Sequence, residues 1–286
     1  MPLYKKMTDT KSLFCCPLCR EDLQQQEKTL FCRKGHSYDV AREGYVNLIL
    51  ANQKASREPG DSPEMLRARR NFLNSGYYRR LAENIADIII RYIDETEEDV
   101  VILDAGCGEG YYTDHISRIP SIISRSSICG IDVSREGVKL SAKRKNDVQW
   151  GVASVHSIPL PENSVNIILN VFAPHDSGEF SRITTGNGIL ISVIPGPEHL
   201  KGLKEELYDT VTEHSNEYPE IDGFKVLKTE TLKYEFTVIW PQIKSDLLKM
   251  TPYYWRTKPG RIQALEKSPA PLTTLADFSI TVYSKL

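Results

Sequence analysis

The sequence has no apolar run that approaches the ~20 residues a transmembrane helix needs. It also begins Met-Pro-Leu-Tyr-Lys-Lys, without the apolar stretch of a signal peptide. Both absences predict a soluble protein of the cytoplasm. Charge of either sign is not in excess, since 36 Lys and Arg stand against 38 Asp and Glu. Any nucleic-acid surface must therefore be a local concentration of basic residues.

Cysteine is scarce and unevenly placed, which argues against a disulfide framework. Four of the six cysteines lie within positions 15–32, and Cys107 and Cys129 stand singly in the predicted core. The clustered part has the pattern C-x2-C-x12-C-x3-H, which is typical of a closed tetrahedral zinc site. The predicted zinc ligands are Cys16, Cys19, Cys32 and His36. Cys15 could replace Cys16 in principle, but only Cys16 has the two-residue gap to Cys19.

This zinc module should have a structural or recognition role. Four protein ligands leave no open position at which a metal could activate water, so hydrolytic zinc chemistry is not expected. The alternative is a set of buried reduced cysteines in an irregular segment. So short a module has little else to bury, which favours the metal.

A connector with two helices is predicted after the module. Residues 41–61 show no periodicity and should form a loop. Ser62 and Pro63 are an N-cap and a first helical position, so a helix should run to about residue 74 and stop at Gly76. A second helix should open near Tyr77. Arg69 falls within the apolar arc of the first helix, where it either pairs with a core carboxylate or points into a cleft.

The most informative stretch reads Val-Val-Ile-Leu-Asp-Ala-Gly-Cys-Gly-Glu-Gly over positions 100–110. It predicts a buried strand that delivers Asp104 to its carboxyl end, followed by a turn whose glycines let the backbone approach a ligand closely. The spacing G-x-G-x-G differs from the G-x-G-x-x-G of dinucleotide binders and fits an S-adenosylmethionine site. Its glycines are Gly106, Gly108 and Gly110. A second apolar strand ends in Asp132, placed to accept from both ribose hydroxyls.

Short apolar strands alternate with helical stretches from residue 100 onward, which predicts an open α/β sheet. Residues 232–240 and 277–284 alternate better and should form an antiparallel edge pair. Ligands of such sheets bind outside the carboxyl ends of the strands. Segments that reach this edge contain Ser154 and His156, Asn170 and Phe172, and His199. Ser154 is expected beside an adenine.

The chain resembles the large-subunit (23S) ribosomal RNA guanine-N1 methyltransferases over nearly its whole length. The likeness rests on C-P-L-C, C-x3-H, R-E-G-Y-V-N-L, R-x-P-G-D-S-P-E-M, R-A-R-R-x-F-L, D-A-G-C-G-E-G-Y-Y-T, P-G-P-E-H-L and M-T-P-Y-Y-W-R. It implies a zinc ribbon before a class I (Rossmann-like) methyltransferase fold with a mostly parallel seven-stranded sheet. The expected units are a zinc module over 1–50, a connector over 51–99 and an S-adenosylmethionine-dependent domain over 100–286.

The resemblance also implies zinc on the Cys3His set and S-adenosylmethionine against Tyr78, Gly110, Tyr111 and His199. It implies a homodimer that binds a hairpin of 23S rRNA and forms 1-methylguanine. Some members of the family confer macrolide resistance. Two departures from the usual pattern are the turn Thr-Thr-Gly-Asn-Gly at 184–188 and the segment His-Asp-Ser at 175–177. The second could alter the pocket for the acceptor base.

Guanine N1 carries a hydrogen, so methylation there requires a base, and donors must stabilise charge on O6. Candidate bases are Asp61, His156 and Asp176. Candidate O6 partners are Arg69 and Asn170, and candidate stacking residues are Phe172 and Tyr45. The sequence alone leaves two other functions open: a small-molecule methyltransferase, and a non-catalytic rRNA-binding assembly factor.

Overall fold

A computed structural model describes residues 11–50, 60–211 and 218–286. The strands are β1 (Lys11–Cys15), β2 (Asp22–Gln26), β3 (Thr29–Phe31), β4 (Ser37–Asp39), β5 (Tyr45–Asn47), β6 (Val100–Ala105), β7 (Ser126–Asp132), β8 (Gln149–Val152), β9 (Val165–Val171), β10 (Thr184–Pro195), β11 (Phe224–Val238) and β12 (Leu272–Lys285). The helices are α1 (Pro63–Asn74), α2 (Arg79–Asp94), α3 (Tyr111–Ile116), α4 (Pro120–Ile123), α5 (Arg135–Ala142), α6 (Ser177–Ile183), α7 (Lys201–Leu207), α8 (Pro241–Lys249), α9 (Tyr253–Arg256) and α10 (Pro259–Lys267).

These strands form two sheets. β1 to β4 make a small antiparallel sheet in chain order, which we call the ribbon. The main sheet has the order β11-β12-β10-β9-β6-β7-β8-β5. Its pairs from β10 to β5 are parallel, and β12 is antiparallel to both β10 and β11. The predicted α/β fold and the antiparallel pair at one edge are confirmed.

The sheet differs from the prediction at its other edge, where β5 makes an eighth strand. Residues 41–61 were expected to form a loop, yet Tyr45, Val46 and Asn47 pair in parallel with β8. Tyr45 and Val46 are buried there. Three residues are too few to show an alternating pattern, so this strand gives no periodicity that a sequence could reveal. Residues 51–59 of the predicted loop lie outside the described residues.

Different layers cover the two faces of the main sheet. Along β9, Ile167 and Leu169 belong to a cluster with the apolar residues of α1, α2, α5, α7 and α8. Ile168 lies in the other cluster, together with the apolar side chains of the ribbon and α6. Coverage of both faces explains why the central strands lack polar alternation.

The ribbon is held against the main sheet by the end of β1 and by the turn that follows it. The backbone N–H of Cys15 donates to the carbonyl of Pro159 at 2.9 Å. Arg20 donates from Nη1 to the carbonyl of Ile158 at 2.7 Å. Both carbonyls belong to the segment that follows β8, and this segment also reaches the edge where ligands are expected.

The first connector helix begins as predicted. Ser62 accepts from the backbone N–H of Met65 at 3.2 Å and caps α1. The chain leaves α1 through Gly76, whose φ is +85°. Helix α7 ends at Leu207, because Tyr208 is extended at φ −129°.

Three further helices, α8 to α10, were not predicted. They lie between β11 and β12, and α8 packs against α1. None of the helices in the described ranges combines the length and apolar character that a membrane crossing requires. The division of the chain at residues 50 and 99 stays a prediction.

Candidate active site and zinc site

The ribbon gathers one compact set of metal-binding atoms. The donor atoms of Cys16, Cys19, Cys32 and His36 all lie within 4.8 Å of one another. The sulfurs of Cys19 and Cys32 are 3.7 Å apart, and His36 Nδ1 lies 3.4 Å from the sulfur of Cys32. A tetrahedral zinc ion with usual bond lengths needs sulfur–sulfur and sulfur–nitrogen separations of about 3.8 and 3.5 Å. The donor set and its spacing therefore fit zinc.

Tyr38 and Cys15 lie near this cluster but are not among its metal donors. Tyr38 places its hydroxyl 3.1 Å from the sulfur of Cys16, as an outer partner of the expected ligand. Cys15 is buried but is not part of the cluster. The structure thus brings together the predicted set and leaves the spare cysteine out.

The glycine-rich turn after β6 has the backbone that its sequence requires. Gly106, Gly108 and Gly110 have φ values of +90°, +55° and +80°, a region in which side chains are strained. A Cβ on Gly106 would lie 2.4 Å from the Cβ of Ala173. The turn is therefore closed to larger residues by both conformation and space.

The two predicted acids stand at the ends of adjacent parallel strands. Asp132 accepts from the backbone N–H of Gly108 at 2.9 Å and of Ser134 at 2.7 Å, so it fixes the turn. Thr113 donates to Asp104. Burial raises the pKa of Asp104 to about 7, and the charge of Asp132 adds to this shift. Burial also raises the pKa of Asp132.

A cavity of about 1120 Å³ opens in front of this edge. Of the predicted cofactor residues, all except Gly110 line it: Tyr78, Asp104, Gly106, Gly108, Tyr111, Asp132, Ser154 and His199. Gly110 lies behind the turn, where a Cβ would be 2.7 Å from the hydroxyl oxygen of Ser141. Cavities for a single ligand measure roughly 300 to 1,000 Å³. This one has room for a nucleoside cofactor and part of a second molecule.

Tyr78 and His199 form a buried pair at the wall of the cavity. The backbone N–H of Asp277 donates to His199 Nδ1 at 3.3 Å, so the hydrogen of a neutral imidazole is on Nε2. Nε2 lies 3.2 Å from the hydroxyl of Tyr78 and donates to it. Complete burial keeps the pKa of Tyr78 well above its usual range. Tyr78 is therefore a neutral hydroxyl that can donate to an acceptor in the cavity.

Two family models match the sequence. A zinc-ribbon model described as RlmA, N-terminal, matches residues 14–57, and a model described as a methyltransferase domain matches residues 103–191. The chain is also 30% identical over 284 residues to YxjB of Bacillus subtilis (strain 168), whose name places it among the 23S rRNA (guanine-N1)-methyltransferases. The match covers 96% of this chain and 99% of that protein. The chain belongs to this methyltransferase family.

A second relative of the methyltransferase is the 23S rRNA (guanine(748)-N(1))-methyltransferase of Streptomyces fradiae. It is 33% identical over 193 residues, which are 67% of this chain and 66% of that protein. The expected cofactors are confirmed by the family and the cluster of metal donors together: S-adenosylmethionine is the methyl donor, and zinc is the metal of the ribbon.

The candidate catalytic groups of the methyltransferase are held in pairs along the cavity. Arg69 forms an ion pair with Asp61 and donates to the carbonyl of Met250 at 3.4 Å. Arg69 thus lies in the cleft, and its carboxylate partner Asp61 is 31% exposed and is not part of the core. His156 Nδ1 lies 2.9 Å from Asp176 Oδ2. Asp61, Arg69 and His156 line the cavity, whereas Asp176 does not.

Asn170 and Phe172 differ in what they present to the cavity of the methyltransferase. The amide of Asn170 donates to the carbonyls of Ala105 and Pro174, each at 3.0 Å, so it fixes a loop and has no N–H left for a guanine O6. Phe172 is 42% exposed and has a φ of +54°. A bulky residue in this conformation is uncommon away from functional sites.

One wall of the methyltransferase cavity was missed by sequence reasoning. It consists of residues 250–253, between α8 and the start of α9, with Ile49 and Met65 beside them. The motif M-T-P-Y-Y-W-R contains this segment, but no periodicity ties it to the carboxyl edge of the sheet. The signal was composition alone, an aromatic and basic cluster near the end of the chain.

The raised pKa of Asp104 makes a testable prediction about stability of the ligand-free methyltransferase. Between its ordinary value of 3.8 and about 7, the folded protein keeps a proton that the unfolded chain has lost. Stability should therefore fall as pH rises through this window, by up to about 1.4 kcal/mol per pH unit. Asp104→Asn removes this dependence. Urea unfolding at pH 5 and pH 7 measures the free energy of unfolding of both proteins. The difference between variant and wild type should shift in favour of the variant at pH 7; the same difference at both pH values would contradict the assignment.

Proposed function

We propose that the protein transfers a methyl group from S-adenosylmethionine to N1 of a guanine in a hairpin loop of 23S rRNA. One observation carries the proposal. The cavity has a glycine turn, the buried Asp104 and the half-buried Asp132 for the cofactor, with volume beyond what the cofactor needs, and it belongs to a chain with a zinc ribbon of the RlmA type. The functions in the names of the two relatives agree with this reaction.

The bound cofactor supplies an activated methyl group. Asp132 is proposed to accept from the ribose hydroxyls and Ser154 to flank the adenine. The turn of Gly106, Gly108 and Gly110, with Tyr111 directly after it, is proposed to bring the backbone close to the cofactor. Tyr78, supported by His199, would donate to the carboxylate of the methionine part. Asp104 stands at the end of the neighbouring strand, where a carboxylate can receive the positive amino group. Catalysis then depends on holding N1 in line with the methyl carbon in a site shielded from water.

The proton on N1 is proposed to pass to His156. The N–H of Glu179 and the ring of His156 keep the pKa of Asp176 below its usual range, so Asp176 is an acceptor and a poor base. His156 therefore donates from Nδ1, which leaves the lone pair of Nε2 for the proton of N1. The electron pair released at N1 would form the new bond to the methyl carbon as the carbon–sulfur bond breaks and its electron pair neutralises the sulfonium. Asp61 is already bound to Arg69, whose charge is suited to O6 as negative charge develops there.

Phe172 is proposed to stack on the target guanine, which must be unpaired to expose N1. We further propose action in the cytoplasm and assembly as a homodimer, both of which agree with an rRNA-modifying enzyme. The zinc site is proposed to hold the ribbon through Cys16, Cys19, Cys32 and His36 and takes no part in methyl transfer.

The test is mass spectrometry of 23S rRNA from a strain that lacks the gene. We expect one 1-methylguanine to disappear and to return with the wild-type gene, but not with Asp132→Ala, which removes the acceptor of the turn. Unchanged 1-methylguanine in the deletion strain refutes the proposal. Cofactor binding without RNA binding would then favour a small-molecule methyltransferase, and RNA binding without cofactor binding an assembly factor.

A further inference from the structure

The short helix α9 places three consecutive aromatic residues at the mouth of the cavity. Tyr253 lines the cavity. Tyr254 and Trp255 follow, with their rings edge to face at 5.1 Å and 88°. The aromatic series therefore begins at the cofactor cavity and continues to its outside.

Trp255 is fixed in place although most of it is exposed. Trp255 is 61% exposed, and its indole N–H donates to the sulfur of Met65 at 3.4 Å. Met65 lies on α1 and lines the cavity. An exposed indole that is held at one edge offers a flat face at little further cost in side-chain entropy. Such a face suits a nucleobase, which stacks on aromatic rings whatever its identity.

The chain segment around α9 is basic, and two of its four cations pair with acids from other parts of the chain: Lys249 with Glu64 at 3.1 Å and Arg261 with Asp209. Residues 249–261 contain Lys249, Arg256, Lys258 and Arg261 and no carboxylate, in a chain whose overall charge is slightly negative. Arg256 and Lys258 are exposed on either side of Thr257. Lys249 lies 5.9 Å from the ring of Tyr254. Basic side chains interleaved with aromatic rings are the arrangement that binds the phosphates and unstacked bases of single-stranded RNA.

We propose that Trp255 is a stacking platform for an unpaired nucleotide next to the target guanine, with Arg256 and Lys258 on its phosphates. This inference rests on the proposed function for the identity of the RNA. It adds a second base-binding site outside the cofactor cavity, which would hold the loop open while the guanine enters.

The test measures RNA binding without methyl transfer, so it separates this inference from the proposed function. The probe is a single-stranded RNA, oligouridylate, compared with a duplex of equal length. Trp255→Ala should weaken binding of the single strand by about 5- to 150-fold, as expected for the loss of one stacked base. Trp255→Phe should lose less, and cofactor affinity should stay unchanged in both variants.

Trp240 provides a matched control, because it is 64% exposed but lies at the start of α8, outside the basic segment 249–261. Trp240→Ala should bind the probe like the wild type. The Trp240→Phe variant keeps two tryptophans, Trp255 and the buried Trp150. Quenching of its fluorescence by the single strand therefore reports on Trp255 directly. Equal losses from the two alanine variants, or equal quenching by duplex and single strand, would overturn the inference, even if rRNA methylation is shown.

Discussion

Replacement of His156 by glutamine is expected to lower kcat for methyl transfer to 23S rRNA by about 10²- to 10⁴-fold, the usual contribution of a general base. The KM for RNA and the affinity for the cofactor should change little, since the side chain is 64% exposed and its loss leaves no cavity in the core. Single-turnover transfer of a labelled methyl group to rRNA from the deletion strain gives the rate.

Two further variants sharpen this prediction. Asp176→Asn keeps an efficient N-cap for α6, which Asp176 now provides by accepting from the N–H of Glu179, but it removes the anionic partner that orients the imidazole. We expect an intermediate loss. His175→Gln changes the adjacent histidine, which does not line the cavity, and should be nearly as active as the wild type. If the His156 variant retains the wild-type rate at neutral pH, another group must be the base.

Loss of zinc is the second change with a large expected effect. Structural zinc sites contribute roughly 10–16 kcal/mol to the folding of isolated modules, and the ribbon has only a few buried apolar side chains, such as Leu23 and Leu30. Cys19→Ser should release the metal and unfold the ribbon, while the main sheet stays folded. Elemental analysis, proteolysis within residues 11–40 and circular dichroism check these three results.

The spare cysteine gives the control for the zinc experiment. Cys15→Ser lies outside the donor cluster and should keep one zinc per chain. The zinc-free protein should also lose methyl transfer, because the ribbon holds the carbonyls of Ile158 and Pro159, close in sequence to His156. Full zinc content in Cys19→Ser, or zinc loss in Cys15→Ser, would show that the ligand set is wrong.

Local signals were sufficient for much of the fold. The cap at Ser62, the turn at Gly76 and the strands that end in Asp104 and Asp132 depend on neighbours within a few residues, and such patterns are legible in sequence. The parallel order of the central strands follows from apolar runs that alternate with helices. Strand β5 could not be foreseen, because its position depends on pairing with β8 about 100 residues later along the chain.

In the candidate site, too, some positions could be predicted from the sequence and others could not. Positions of the predicted cofactor residues follow from the rule that parallel strands end at one edge, although Tyr78 and His199 came from the family resemblance alone. The pairing of Asp61 with Arg69 and of His156 with Asp176 was not predictable, since each joins separate elements. Asn170 looked like a donor to the substrate and is internal to its loop.

The close approach of Gly106 and Ala173 couples the side-chain sizes that these two positions can accept. A methyl group at position 106 would overlap the one that is already present at 173. A lineage could exchange the alanine for a bulkier residue, and so reshape this part of the cavity wall, only while glycine is kept at position 106. New nucleotide preferences would therefore arise in the loop after β9 and leave the cofactor turn unchanged.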